Sequence, residues 1–229
     1  GSLIPETSSL ESIEILKGSS ALLYGNVAPG GILNLITKKP RFDHGGELSF
    51  RATEYNFFKP TVDVYGAVNN SNTVAYRFIT SYEQGNSFRD EVQTQRIYFN
   101  PSFLFDISAK TNIIVEADYT KDNRTPDFGL AAIDYKVVEL PINSFLGFNW
   151  GKFDSEQIGF TSTINHDLSK NWQLKGIFSY QGYSTNLLSS LRPNAGITDP
   201  LNPNNNLVRA NGDWIRGVQK TDTEQDYSL

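Results

Sequence analysis

The 229-residue sequence contains neither cysteine nor methionine. Without cysteine, the chain can form no disulfide framework and no thiolate metal site. Without methionine there is no initiator residue, and the Gly1-Ser2 start is typical of a cloning scar and carries no signal peptide. We therefore expect the sequence to be an internal piece of a longer precursor.

Long apolar runs are missing as well, because no stretch approaches the roughly 18 apolar residues that a membrane-spanning helix needs. This absence excludes helical insertion only, since a membrane-spanning β-strand needs about 9–11 residues with alternate ones apolar. An excess of basic residues is also missing, and the formal net charge is −5. A nucleic-acid partner would favour a basic surface, so we expect no nucleic acid among the partners.

The sequence has no recognisable catalytic or metal-binding pattern. Its two histidines, His44 and His166, are far apart and have no carboxylate at a telling spacing. Nothing indicates a nucleophile–base pair, a group of metal ligands or a pair of tuned carboxylates. We expect a protein that is not an enzyme, with no catalytic residues, no metal site and no cofactor.

What the chain does have is regular alternation of apolar and polar residues, with an aromatic content of 13%. Abundant Tyr, Phe, Asn, Ser and Thr suit strands with one apolar and one polar face. Pro101 lies inside the longest predicted strand and predicts a bulge there, because it has no N–H for the ladder. A period of two predicts seven β-strands and the start of an eighth, at Glu47–Glu54, Thr61–Asn69, Val74–Glu83, Arg96–Ile107, Thr111–Lys121, Ile158–Leu168, Trp172–Tyr183 and Thr221–Leu229.

Short and long connections alternate between these strands. Tight turns are predicted at Asn69–Thr73, Ser108–Lys110 and Ser169–Asn171. Longer links are predicted at Tyr55–Pro60, Glu83–Gln95, Asp122–Gln157 and about Thr185–Lys220. Transmembrane barrels have short periplasmic turns and long extracellular loops, whereas a soluble sandwich has no reason to put every short turn at one end. The connections therefore favour a transmembrane barrel.

Residues 11–40, ESIEILKGSSALLYGNVAPGGILNLITKKP, differ from everything that follows. Two apolar runs of β type, Ile13–Leu16 and Ile32–Ile36, lie on either side of a bend that is rich in Gly and Ser. The GNVAPGG stretch, Gly25–Gly31, lacks the Lys-Ser/Thr of a phosphate-binding loop and precedes a strand rather than a helix. We interpret it as a tight turn in which glycines adopt positive φ.

This stretch resembles the end of the plug domain in the TonB-dependent outer-membrane siderophore receptors, in particular the ferrichrome-type members. The match runs through E-x-I-E-I-L-K-G, Leu23-Tyr24-Gly25, Ala28-Pro29-Gly30-Gly31 and Leu33–Pro40. The resemblance implies an all-β fold. In it, residues 1–43 form the C-terminal part of a plug domain, and residues 44–229 form the N-terminal strands and extracellular loops of an antiparallel transmembrane β-barrel. Such receptors close with about twenty-two strands, so seven or eight strands are a portion of a larger barrel.

The resemblance also implies ligand-binding residues. Tyr24 would lie at the apex of the plug, with its hydroxyl able to bond siderophore oxygens, and burial between plug and barrel is the alternative. Residues 124–129 (RTPDFG) and 145–147 (FLG) resemble the third extracellular loop of the family. Phe128, with Trp150 behind it, would then contact an organic metal chelate through ring faces. Packing of the loop against itself is the alternative for both.

In a barrel, charged residues on the inward-facing parity would pair with the plug or line the lumen, but for each one individually we favour a solvated charge on an exposed face. They are Arg51, Asp63, Arg77, Arg96, Glu116 and Asp118. By the resemblance, Glu11, Glu14 and Lys17 belong to the charged seam between plug and barrel.

The resemblance implies an outer-membrane receptor of a Gram-negative bacterium that imports ferric siderophore complexes, driven by TonB-type energy coupling. Its partners would be a ferric siderophore, outer-membrane lipid and the energy-coupling protein, whose contact motif is absent from this sequence. The alternative is a surface or secreted carbohydrate-binding β-protein. A β-rich hydrolase would need paired acids in one cleft, and Asp127 and Asp134 have no supporting pattern.

Overall fold

The computed structural model describes residues 5–17, 32–129, 132–133, 136–137, 139–190 and 218–228. Regular structure in these ranges is entirely β, in twelve strands. In the same ranges, no helix is long and apolar enough to cross a lipid bilayer. The strands are β1 (Leu10–Leu16), β2 (Ile32–Thr37), β3 (Gly45–Thr53), β4 (Phe57–Ala67), β5 (Val74–Asn86), β6 (Gln93–Ser108), β7 (Thr111–Arg124), β8 (Ala132–Ile133), β9 (Lys136–Val137), β10 (Lys152–Ser169), β11 (Trp172–Ser190) and β12 (Val218–Ser228).

The main sheet is an antiparallel meander of eight strands in the order β3-β4-β5-β6-β7-β10-β11-β12. It is open, with β3 and β12 at its edges. Strands β1 and β2 form a separate antiparallel pair, and β8 and β9 form a small pair in the connection between β7 and β10. All eight strands predicted from the period of two are therefore confirmed as neighbours in one sheet.

The three predicted tight turns lie together at one end of the sheet, which we call the turn end. There the strands are joined across residues 68–73, 109–110 and 170–171, as predicted. Backbone hydrogen bonds tie neighbouring turns to one another, from Asp106 N to Thr73 O and from Asp167 N to Lys110 O, both 2.8 Å. The opposite end, the loop end, carries the connections 54–56, 87–92 and 125–151. The expected separation of short turns from long links is therefore incomplete, because 54–56 is short and 87–92 is as long as 68–73.

The prediction of a long link at Tyr55–Pro60 was wrong. Strand β4 already begins at Phe57, and only residues 54–56 separate it from β3. Tyr55 and Asn56 adopt φ values of 60° and 54°, in the left-handed region that closes tight hairpin turns. The turn carries no glycine, so the usual sequence signal for this geometry is missing.

The predicted bulge at Pro101 was also wrong. The register between β6 and β7 is the same on both sides of it, from Phe99 opposite Tyr119 to Ser102 opposite Glu116. The side-chain amide of Asn100 donates a 2.7 Å hydrogen bond to the carbonyl oxygen of Ala117. Asn100 is buried, so its amide supplies the donor that Pro101 lacks, and the strand stays regular.

The two faces of the main sheet differ in chemistry. On the face that the N-terminal residues contact, which we call inward, the buried side chains are mostly polar or charged, with Ala75 and Ile79 fully buried among them. The outward face carries aromatic rings in contact across strands β5 and β6. Phe78 stacks on Phe99 with ring centroids 6.4 Å apart and meets Phe103 edge to face at 5.6 Å. An apolar face without a covering layer in the described chain is what a lipid-facing barrel wall requires.

We predict that Asn100→Leu lowers the free energy of unfolding of the full-length protein by about 1–3 kcal/mol, because the carbonyl of the half-buried Ala117 loses its donor. Urea unfolding in lipid vesicles measures the change. Asn165→Leu is the matched control, since its amide bonds the side chain of Asn112 near the turn end, where water can replace it. Equal effects of the two substitutions would contradict the role given to Asn100.

Candidate functional site

The candidate site is the contact between the N-terminal residues and the inward face of the main sheet. The N-terminal side is built from residues just before β1 and just after β2, which meet where Lys38 N donates to Ser9 O at 2.8 Å. This bond fixes the two pieces of chain side by side. Their polar side chains then reach two rows of charge on the sheet, one nearer the turn end and one nearer the loop end.

The lower charge row, nearer the turn end, consists of Asp63 on β4, Arg77 on β5 and Glu116 on β7. Arg77 donates two hydrogen bonds to Asp63, from Nε to Oδ1 at 2.8 Å and from Nη2 to Oδ2 at 2.7 Å. Both side chains are buried, and this bidentate geometry is the strongest form of such a pair. The Arg77–Asp63 pair is therefore formed within the sheet itself, without the N-terminal residues.

Three consecutive N-terminal residues bind the lower charge row. Lys38 Nζ lies 3.0 Å from Asp63 Oδ2. Thr37 Oγ1 donates to Glu116 Oε1 at 2.7 Å, and Lys39 Nζ bonds the other oxygen of the same carboxylate. The backbone takes part too, because the carbonyl of Lys39 accepts a 3.2 Å bond from Arg77 Nη1. Asp63, Arg77 and Glu116 thus pair with N-terminal residues, so the interpretation of these three as solvated charges on an exposed face was wrong.

The upper charge row, nearer the loop end, runs over Lys59 on β4, Glu83 on β5, Arg96 on β6 and Asp122 on β7. Lys59 Nζ bonds both carboxylate oxygens of the N-terminal Glu6, at 2.8 and 2.9 Å, and lies 3.2 Å from Glu83. Arg96 and Asp122 form their own pair at 2.6 Å. Here a single N-terminal carboxylate is held by a lysine of the wall.

The charges of the two rows and their N-terminal partners balance. The lower row with its two lysines has three cations and two anions, and the upper row with Glu6 has two cations and three anions. The sheet alone carries one excess negative charge in these rows, and the N-terminal residues carry one excess positive charge. Buried charges cost several kcal/mol each unless they are paired, so this match decides which segment can dock.

Burial alone raises the pKa of Glu6, but the hydrogen bonds and charge of Lys59, with a further bond from the backbone of Ser8, outweigh it and lower the pKa below its ordinary value. The Glu6 side chain is only 2% exposed. A carboxylate that is buried to this degree stays ionised only because Lys59 pairs with it. Between the rows, the buried Tyr98 hydroxyl donates to Ser9 Oγ at 2.7 Å.

Sequence reasoning did not single out Glu6, Lys38, Lys39 or Lys59. Their signal is weak, since only the Lys38-Lys39 pair directly before Pro40 stands out in the printed sequence. The three residues assigned to the charged seam, Glu11, Glu14 and Lys17, are exposed in this structure, and Glu14 accepts a hydrogen bond from Asn34 within the N-terminal pair of strands.

The residues predicted to bind a ligand lie elsewhere. Tyr24 falls outside the described residues. Phe128 lies in the connection after β7 at the loop end and is 37% exposed. Trp150 lies just before β10, is 46% exposed, and stacks on Phe148 with ring centroids 4.5 Å apart.

The connection that carries Phe128 is fastened to the neighbouring connection 87–92. Arg89 Nε lies 3.1 Å from Asp127 Oδ2, and its Nη1 donates to the carbonyl of Ser144 at 3.1 Å. Asn143 and Asp90 bond each other through backbone and side chain, both at 2.9 Å. These contacts hold the two connections together, so the aromatic side chains at the loop end project from a surface that is fixed by ion pairs and hydrogen bonds. In the described part of the chain, no three acidic or histidine side chains are grouped so that they could hold a metal ion.

We predict that Lys59→Met lowers the free energy of unfolding of the full-length protein by about 3–5 kcal/mol, because the buried carboxylate of Glu6 loses its partner. Urea unfolding in lipid vesicles measures the loss. Adding Glu6→Leu to that variant is expected to recover a large part of it, because the most deeply buried unpaired carboxylate is then gone and only Glu83, whose side chain is 18% exposed, still lacks the lysine.

The control is Arg41→Gln. Arg41 and Asp43 form an ion pair whose side chains are both more than half exposed, so the unfolding midpoint is expected to stay unchanged. A double variant as unstable as Lys59→Met alone would contradict the pairing of Lys59 with Glu6.

No family model matches the sequence, but curated proteins do. The chain is similar to the metal-pseudopaline receptor CntO of Pseudomonas aeruginosa (strain UCBPP-PA14), with 31% identity over 172 residues, which cover 75% of this chain and 24% of that protein. It is also similar to the ferrioxamine B receptor of Salmonella typhimurium (strain LT2), with 27% identity over 188 residues, covering 78% and 26%. The chain thus spans about a quarter of the length of these relatives.

Solved structures share the fold. The ferric-catecholate import receptor Fiu from Escherichia coli K12, in its open form, matches with a TM-score of 0.81 and 22% identity over 99% of this chain and 36% of that one. The ferripyoverdine receptor of the outer membrane of Pseudomonas aeruginosa matches with a TM-score of 0.73 and 22% identity over 81% and 26%. The open sheet described above therefore corresponds to part of a larger receptor barrel. The chain is a homologue, over about a quarter of their length, of the TonB-dependent siderophore and metal receptors of the Gram-negative outer membrane.

Proposed function

We propose that the protein containing this chain is an outer-membrane receptor that imports ferric siderophore complexes, driven by a TonB-type energy-coupling protein. The observation that carries the proposal is the way the N-terminal residues are held. Ion pairs and hydrogen bonds join them to the inward wall at two rows of charge. Such contacts can exchange for water one at a time, unlike a continuous apolar interface.

In this proposal, residues 1–43 are the C-terminal part of the plug and residues 44–229 are the first part of the barrel. The plug blocks the lumen while both charge rows are paired. A pull from the periplasm opens a path by separating pairs such as Lys38 from Asp63, 3.0 Å apart at rest. Water entering the path solvates the separated charges, which lowers the free-energy cost of the open state.

We propose Tyr24, Phe128 and Trp150 as ligand contacts on the external side. Aromatic faces suit the organic shell of a metal chelate, and the tyrosine hydroxyl can donate to its oxygens. The iron is then cargo inside its chelator, so the protein needs no iron ligand, no resident cofactor and no catalytic residue. The exposure of Phe128 and Trp150 at the braced loop end supports this role.

The alternative of a carbohydrate-binding β-protein requires a second layer over the apolar face of the sheet. In the ranges that the structure describes, the N-terminal contacts all fall on the opposite, polar face. None of the similar proteins named above favours this alternative. We therefore retain the importer as the proposed function.

We predict that Phe128→Ala combined with Trp150→Ala weakens binding of the transported ferric siderophore to the full-length receptor about tenfold or more, because aromatic contacts are lost. Equilibrium binding to purified receptor is measured for the siderophore that supports growth of iron-starved cells. Trp172→Ala is the control, because this aromatic is 74% exposed at the turn end.

Two outcomes would contradict the proposal at different levels. Unchanged affinity of the double variant would remove Phe128 and Trp150 from the ligand site. Normal uptake of every available siderophore by iron-starved cells lacking the receptor would remove the import function itself.

A further inference from the structure

One inward row of the main sheet lies a step nearer the loop end than the upper charge row, and we call it the rim row. Its members lie directly opposite one another from β5 to β12. Each lies two residues along its strand from the register of the upper charge row, so its side chain is on the same inward side. The rim row consists of Gly85, Thr94, Arg124, Phe153, Leu187 and Thr221. Arg124 is its one charged member.

Arg124 is held by an aromatic ring and not by a carboxylate. Its Cζ lies 4.5 Å from the centroid of the Phe153 ring on the neighbouring strand β10, and this phenylalanine is buried. The carboxylates on either side of Arg124 in the sequence, Asp122 and Asp127, are already paired with other arginines, at 2.6 and 3.1 Å. In the ranges that the structure describes, no oxygen accepts a hydrogen bond from Arg124.

A guanidinium that stacks on a ring keeps the N–H groups along its edge available for hydrogen bonds. The ring fixes the position of the cation, and the edge presents donors in a fork that matches the oxygens of a carboxylate or a similar anion. Asp122 lies two residues away on the same side and has a buried Oδ1 without a partner in the described chain. Arg124 is nevertheless directed to Phe153, so its charge stays available on the inward side.

Arg124 lies at the base of the connection that carries two of the proposed aromatic ligand contacts. Phe128 follows it by four residues, and Trp150 adjoins Gly151 at the other end of the same connection. These two ends are close in space, because a Cβ added to Gly151 would lie 3.6 Å from Cγ of Pro126. A ligand held by the rings of this connection therefore lies near a cation as well as near aromatic faces.

A second arginine on the inward side has the same arrangement. Cζ of Arg51 on β3 lies 5.1 Å from the centroid of the Phe57 ring, and Arg51 forms no ion pair in the described part of the chain. The inward side near the loop end thus carries two guanidinium charges that the described residues do not neutralise, and uncompensated charge of one sign in a concave site attracts ligands of the other sign. The four other arginines of the described ranges each bond a carboxylate, and they are Arg41, Arg77, Arg89 and Arg96.

We propose that Arg124 selects the imported ferric complex by charge, so that the receptor prefers a chelate with anionic carboxylate or catecholate oxygens over a neutral ferric hydroxamate. This inference rests on the proposed import function and names the class of its substrate. The edge of the guanidinium bonds the anionic oxygens while the rings of the connection contact the organic shell. A neutral chelate forms no charge-assisted pair with Arg124, and this difference is the source of the selectivity.

The test measures equilibrium binding to the full-length receptor in detergent micelles by isothermal titration calorimetry. Three ferric complexes are the probes: an anionic tris-catecholate, an anionic citrate complex and a neutral trihydroxamate. We expect the wild type to bind one of the anionic complexes about tenfold more tightly than the trihydroxamate, or better. Arg124→Gln is expected to weaken binding of that complex about tenfold and to leave binding of the trihydroxamate unchanged. Arg124→Lys keeps the charge without the fork and is expected to retain part of the preference.

Lys152→Gln is the matched control. Lys152 directly precedes Phe153 on β10 and therefore lies on the outward side of the same strand. Its side chain is more than half exposed, and its ammonium is already paired with Asp154 at 3.1 Å. This substitution removes one cation at the same end of the sheet and is expected to change none of the three affinities.

A salt series on the wild type keeps the test decisive if Arg124→Gln folds poorly. Attraction between an anion and a half-buried guanidinium weakens as ionic strength rises, whereas binding of a neutral complex does not. The proposal is overturned if the ratio of the two affinities is the same at low and high salt, or if the neutral complex binds as tightly as the anionic ones. Equal losses for all three complexes in Arg124→Gln would make Arg124 a structural residue only and would overturn it too.

Failure of this proposal and failure of the import function are distinguishable. A neutral complex that is bound tightly and imported would remove the charge selection and leave the import function in place. Binding of none of the three complexes would likewise count against the charge selection. Normal uptake of every available siderophore by iron-starved cells lacking the receptor would remove the import function, whichever complex the purified protein binds.

Discussion

The pairing of buried charges between the N-terminal residues and the sheet is the interaction on which the rest of this structure depends. Asp63 and Arg77 lock each other, and Lys38 completes the group at 3.0 Å. In a low-dielectric interior, each of these charges without a partner would cost several kcal/mol. The wall therefore accepts only a segment that brings the complementary charges in the right order, as Glu6, Lys38 and Lys39 do.

This requirement explains why the two faces of the sheet are so different. A strand has only two sides, so placing Arg77 and Ser81 inward sends Phe78 and Tyr82 outward. The inward side needs polar partners to hold the N-terminal residues, and the outward side needs rings and aliphatic chains that hydrocarbon can solvate. Near the loop end the outward-facing residues change from rings and aliphatic chains to amides, because there the strands extend beyond the apolar layer.

The sequence was informative where a rule of local geometry applied. Period two located all eight strands of the sheet, because each residue's side is fixed by parity once one face is apolar. The turn at Tyr55 and Asn56 was not predicted because it contains no glycine and its first residue is a tyrosine, which rarely adopts positive φ. The hydrogen bond from the amide of Asn100 was not predicted, because its acceptor lies 17 residues away in the sequence. The partners of Glu116 could not be named from the sequence, since Thr37 and Lys39 lie more than 75 residues away and the contact depends on docking.

The central claim is that Phe99 meets hydrocarbon while Asn100, its neighbour in sequence, faces the docked N-terminal residues. Spin labels on single cysteines at these two positions, in full-length receptor reconstituted in lipid bilayers, test it directly, and no cysteine of this chain competes for the label. The account predicts strong relaxation by apolar oxygen at Phe99→Cys and little relaxation at Asn100→Cys. Equal oxygen access at both positions, or faster relaxation by a water-soluble nickel complex at Phe99→Cys, would contradict it.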